Sequence, residues 1–144
     1  NMRLDELHAS FLRIKLKNYH KVIKKRNNNV KIYKKILSNL VEYPFVKNSN
    51  LAIYQTFIIK IKHGSRDKLQ KYLLGEGFDT KVHYPLPVHK MYVYLKNYKK
   101  IKLPISEKLS KEILTIPVME YIDKDHVIKL ANKIKFFLTK CSKD

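Results

Sequence analysis

From Leu4 to Leu40 the chain contains neither glycine nor proline, and its apolar residues fall at Leu4, Leu7, Phe11 and Ile14, then Val22, Ile23, Val30, Tyr33, Ile36, Leu37 and Leu40. That spacing is close to one face of an α-helix. It predicts one long helix, or two nearly continuous ones with a joint at Asn18-Tyr19-His20, where the stripe loses phase. Asp5 and Glu6 lie in the first turn, where the helix dipole favours negative charge, and the lysine-rich end suits the opposite pole. A helix this long in a chain of 144 residues must pack on something at both ends, which implies a partner domain or subunit. Residues 1–40 are therefore set apart as a bridging helix, and 41–144 as a small domain.

The remainder reads as a mixed α/β unit. Pro44 and Lys47-Asn48-Ser49-Asn50 mark a loop, and Ala52 to Lys62 has the β-branched and aromatic content of a strand. Ser65 is placed to cap a helix bearing Leu69, Tyr72, Leu73 and Leu74, stopped by Gly75 or Gly77. Phe78 to Tyr84 is expected as a second strand, and Lys90 to Asn97 as a short helix. Pro104 can open a helix with Ile105, Leu109, Ile113 and Leu114 as its buried stripe. Thr115 to Val118 reads as an edge strand bounded by proline. Asp123 then caps a last helix carrying Val127, Leu130, Ala131, Ile134, Phe137 and Leu138.

Composition excludes more than it supplies. The longest apolar runs are a few residues, far short of the roughly 18 needed to span a membrane. The polar N-terminus carries no signal peptide, and a single cysteine, Cys141, suits a reducing compartment, so the cytoplasm is the expected location. The formal charge of +19 invites nucleic acid as a partner. Yet only 4 of the 31 basic residues are Arg, the side chain that clamps phosphates and reads bases, and the lysines are evenly spread. With the run Asn27-Asn28-Asn29 and the abundant Ile, this reads as compositional bias, and nucleic-acid binding is the weaker alternative. No Cys or acidic residue clusters with the histidines as a metal site would require, no serine sits in a glycine elbow, and the three glycines match no phosphate loop.

The stiffest stretch is His83-Tyr84-Pro85-Leu86-Pro87-Val88-His89. Its prolines restrain themselves and the residues before them, holding the backbone extended while two imidazoles and a phenol project from it. A rigid surface turn with idle histidines is the plain reading of such a segment, and a site is the other.

Three blocks in order give the chain a resemblance. Asn1-Met2-Arg3-Leu4-Asp5-Glu6-Leu7-His8-Ala9-Ser10-Phe11-Leu12-Arg13-Ile14-Lys15-Leu16 is similar to G-Y-N-x-R-[ML]-x-E-L-Q-A-A-x-L-R-x-K-L. His83, Tyr84, Pro85, Pro87 and His89 match H-Y-P-x-P-x-H. Leu103-Pro104-Ile105-Ser106-Glu107-Lys108-Leu109, then Glu112 to Pro117, resembles F-P-x-A-E-x-L followed by E-x-L-S-L-P. All three belong to the DegT/DnrJ/EryC1/StrS family of pyridoxal-phosphate-dependent sugar aminotransferases, and the chain resembles their C-terminal part.

The resemblance implies the small C-terminal α/β domain of a fold-type-I aminotransferase, a long N-terminal helix plus a small sheet covered by helices. It implies a homodimer with active sites at the subunit interface, and substrates that are an amino-acid donor and a keto-sugar nucleotide. By the same motifs Asn1 would reach the cofactor phosphate of a neighbouring subunit. Arg3 would meet a donor carboxylate or a sugar-nucleotide phosphate, and His83, Tyr84 and His89 would line the substrate side of the cleft. An amide can donate to a phosphate, an Arg fork fits a carboxylate, and imidazole or phenol can bond a sugar or a pyrophosphate. Departures are His8 for the usual Gln and Ser10 for the usual Ala. The family's large domain, with the lysine that forms the Schiff base, has no counterpart here, so no catalytic residue is assigned and the chain alone is expected to be inert. A non-catalytic remnant or interaction module is the other alternative.

Overall fold

The structure is a computed structural model, and it describes residues 3–47, 49–61, 64–94 and 101–141. Helix α1 runs unbroken over Glu6–Leu37, with no joint at 18–20. Asp5 caps it, accepting the His8 backbone N–H at 2.7 Å, while the His8 ring closes on the same carboxylate at 2.7 Å. The first turns are exposed on all sides, and burial begins at Asn29, Val30, Tyr33 and Leu37. Glu6 therefore stands roughly 35 Å along the axis from Asn29.

The buried half of α1 packs along the last helix, α4 (Lys124–Cys141), whose Val127, Leu130, Ala131 and Ile134 are fully buried. The same core takes in β1 (Phe57–Lys60) and β2 (Ile113–Ile116), an antiparallel pair in register from Phe57 opposite Ile116 to Lys60 opposite Ile113. Helix α2 (Arg66–Gly75) covers α4 with Leu69 and Leu73. Its end has a Schellman geometry: Gly77 at φ 84°, its N–H on Leu74 O at 3.0 Å and the Phe78 N–H on Leu73 O at 2.8 Å. Gly77, rather than Gly75, thus makes the reversal.

Both expected strands are shorter than their residue content implies, for one reason: side chains from elsewhere hold their backbone. Asn27 Nδ2 donates to Ala52 O at 2.8 Å, and Tyr54 turns the chain at φ 49°, so regular pairing starts only at Phe57. The expected end of this strand, Lys62, lies outside the described residues. Similarly Gln70 Nε2 donates to Thr80 O at 2.9 Å, and the expected strand from Phe78 to Tyr84 is reduced to a bridge between Lys81 and Thr115. The edge strand begins two residues earlier than expected and ends before Pro117, whose carbonyl instead accepts the Tyr33 hydroxyl at 2.9 Å.

The Asn27 to Asn29 run is thus more than compositional bias. Asn29 Nδ2 reaches Met119 O at 3.2 Å, and next to it Arg26 pairs with Glu120 at 2.8 Å, fastening α1 to the turn between β2 and α4.

Helix α3 (Pro104–Glu112) starts on its proline as expected, but its buried stripe is not the expected one. Ile105 is 76% exposed and Leu109 37% exposed, and the buried residue is Ser110, whose hydroxyl donates to Glu107 O at 3.0 Å. The apolar side of α3 faces a groove. Of the helix expected at Lys90 to Asn97, 92–94 form a helical turn and the rest lies outside the described residues.

Candidate functional site

The groove beside α3 is a cavity of about 640 Å³, walled by Tyr84, Leu86, His89, Leu103, Leu109 and Ile113 among others. Two elements make it. The chain leaves the Lys81 bridge, passes extended through Pro87 at φ −64° and ψ 147°, and then coils into a 3-10 turn, Val88–Lys90. The 3-10 turn lies against the first turn of α3.

The three ring-bearing residues of the proline segment do not act together. His83 Nδ1 lies 3.0 Å from Thr115 Oγ1 on β2, and its ring meets the Tyr84 ring edge-on at 5.6 Å, through a cis His83-Tyr84 peptide bond. Tyr84 is exposed and lines the cavity, while His83 is not among the lining residues. His89 also lines it, but from the 3-10 turn and not from an extended strand.

His89 is held by Glu107, a residue that sequence reasoning passed over. Glu107 Oε1 accepts from His89 Nε2 at 3.1 Å and from the Leu103 N–H at 3.2 Å, and Oε2 accepts from Lys90 Nζ at 2.6 Å. Its place in the first turn of α3 adds the favourable end of the helix dipole. The bond from Lys90, then those from His89 and the Leu103 N–H, hold the carboxyl down at about 2. A depressed carboxylate stabilises the fold fully above its ordinary value of 4.5 and loses that contribution as pH falls toward about 2. Acid unfolding followed by circular dichroism should therefore show extra loss between those two pH values in the native chain and less in Glu107→Gln. The difference should be modest, because the carboxyl is 25% exposed. The signal in the sequence was the glutamate of the Leu103 to Leu109 block, but nothing local linked it to a histidine 18 residues earlier.

Of the remaining expected site residues, Arg3 is exposed ahead of α1, at the end of that helix remote from the core. Asn1, the residue expected at the cofactor phosphate, lies outside the described residues. Among the described residues no group of three His, Cys, Asp or Glu gathers to hold a metal ion, and no helix is long and apolar enough to cross a membrane.

The described residues do not by themselves fit a pyridoxal phosphate site. Among the described residues the cavity lining contains no lysine or arginine, and the nearby Lys90 amine is taken by Glu107. What the described residues offer is an apolar groove with a phenol and an imidazole set in its wall.

The small two-stranded sheet with its covering helices, and the long helix half of which stands free of the core, superpose on part of the aminotransferase fold. The chain belongs to the DegT/DnrJ/EryC1/StrS aminotransferase family, whose profile matches residues 1–135. It is 27% identical, over 93% of its length, to the dTDP-3-amino-3,6-dideoxy-alpha-D-galactopyranose transaminase of Aneurinibacillus thermoaerophilus, of which it covers 36%. It is 29% identical, over 85% of its length, to the UDP-2-acetamido-2-deoxy-3-oxo-D-glucuronate aminotransferase of Pseudomonas aeruginosa, covering 33% of that enzyme. Among solved structures it superposes on DesV of S. venezuelae, in complex with a ketimine intermediate, with a TM-score of 0.87 and 25% identity. That match covers 96% of this chain and 38% of the other. An aminotransferase from Brucella abortus gives a TM-score of 0.84 at 28% identity, covering 94% and 36%. The chain thus spans about a third of the length of the relatives it matches, and corresponds to their C-terminal part.

Proposed function

We propose that this chain is the substrate-closing small domain of an aminotransferase that moves an amino group from an amino acid to a keto-sugar nucleotide, for a surface polysaccharide or a natural product. The observation that carries the proposal is the groove between the His83 to His89 segment and α3, with Tyr84 and His89 in its wall, in a chain of this family. Residues 1–40 would bridge to a large domain and 41–144 would form the closing unit. The free half of α1, with Leu7 66% and Leu16 71% exposed, supports a partner on that side. The complete enzyme would work in the cytoplasm as a homodimer.

Pyridoxal phosphate, once bound by the complete enzyme, supplies the electron sink for amino transfer. This chain's own part is binding and exclusion of water. Tyr84 donates or accepts a hydrogen bond at the exposed edge of the groove, and His89 presents an imidazole inside it. His83, committed through Nδ1 to Thr115, keeps Nε2 for a ligand beyond the groove. Asn1 would reach the cofactor phosphate, and Arg3 a donor carboxylate or a sugar-nucleotide phosphate. With no Schiff-base lysine the chain alone would not turn over substrate. A buried apolar cluster drawn from α1, both strands, α2 and α4 favours a working domain over a decayed remnant.

A chimera tests this reading. The A. thermoaerophilus transaminase, with its matching C-terminal third replaced by this chain, should aminate a keto-sugar nucleotide faster than the same enzyme truncated at the junction. A folded chimera that holds pyridoxal phosphate and is no faster than the truncated enzyme would contradict it.

A further inference from the structure

Among the described residues the Glu107 carboxylate lies within hydrogen-bond distance of His89 Nε2, the Leu103 N–H and Lys90 Nζ. An ionised carboxylate has no hydrogen to give. The imidazole nitrogen that faces it must therefore carry the hydrogen, and in a neutral ring that leaves Nδ1 with its lone pair. The ring has little freedom to turn. His89 is only 9% exposed in its side chain, Pro87 fixes the approach to its turn, and the carboxylate that engages it belongs to a different element, α3. Lys90 shares the carboxylate, so one group fixes two successive side chains of the 3-10 turn.

We propose that Glu107 is a positioning residue that locks His89 as its Nε2–H tautomer, so that the cavity wall offers Nδ1 as an acceptor to a hydroxyl or N–H of the bound substrate. The identity of that substrate rests on the aminotransferase reading; the state of the ring does not. A neutral acceptor at this point favours a sugar hydroxyl over a phosphate or carboxylate oxygen, which would have no hydrogen to give it. The pyrophosphate of a sugar nucleotide is then met elsewhere, and His89 discriminates the sugar.

The test uses the 144-residue chain labelled with 15N-histidine, with ring 1H–15N correlations recorded near neutral pH and His89 assigned by loss of its signals in His89→Gln. The expected result is a protonated Nε2 and an unprotonated Nδ1 for His89. In Glu107→Ala the two nitrogens should move toward the averaged values of exposed His20. Glu107→Gln, which keeps an accepting carbonyl, should stay closer to the native pattern. An Nδ1–H tautomer or a doubly protonated ring in the native chain would overturn the proposal. So would an unchanged His89 spectrum in a folded Glu107→Ala chain. An inactive chimera would instead count against the aminotransferase reading and leave the ring assignment standing.

Discussion

Tyr33→Ala should destabilise the domain by about 3 to 5 kcal/mol, the range for removing a large buried aromatic. Tyr33 is fully buried, stacks on Phe57 with ring centroids 6.0 Å apart, and donates its hydroxyl to Pro117 O at 2.9 Å. Burial pushes its phenol well above the usual range, so the hydroxyl stays protonated and remains a donor. Alanine at this position leaves both a cavity and an unpaired carbonyl at the end of β2. A domain of ordinary stability holds about 5 to 15 kcal/mol in all, so much of it would be gone. Tyr33→Phe keeps the ring and loses the hydroxyl alone, which should cost about 1 kcal/mol. Urea unfolding read by circular dichroism measures both, and equal costs for the two variants would refute this division of the Tyr33 contribution.

Leu130→Ala should cost about 2 to 5 kcal/mol, whereas Ile105→Ala should stay within about 0.5. Leu130 is fully buried in α4, the helix against which both α1 and α2 pack. Ile105 is 76% exposed on α3. Helical periodicity alone treats Leu130 and Ile105 alike, because each lies on the apolar stripe of its helix. The same urea titration separates them, and a large loss at Ile105 would mean that α3 buries its apolar face in the core after all.

That contrast marks how far the sequence can be read. Local rules sufficed for the presence of α1, α2 and α4, where apolar spacing and the glycine reversal after α2 act within a few residues, although Asp5 caps α1 where the sequence placed it in the first turn. They failed where a side chain far along the chain takes a backbone group out of a strand, as Asn27 does to Ala52 and Gln70 does to Thr80. Propensity describes the strand residue and is silent about its competitor. The candidate site divides in the same way. The prolines announced a restrained segment carrying Tyr84 and His89, but the carboxylate that fixes His89 comes from α3, 18 residues further along the chain, and His83 is turned to Thr115. Motif letters placed these residues in one block, and packing distributed them between two surfaces.

The proposed role gives this chain a wall of the substrate cleft and not the cofactor lysine. Its most direct test is reduction with borohydride in the presence of pyridoxal phosphate, followed by peptide mapping of the labelled lysines. The isolated chain should show no single dominant pyridoxyl-lysine among its 27 lysines, and the chimera should carry one label, outside the residues contributed by this chain. One stoichiometrically labelled lysine within the chain, in either protein, would contradict the account.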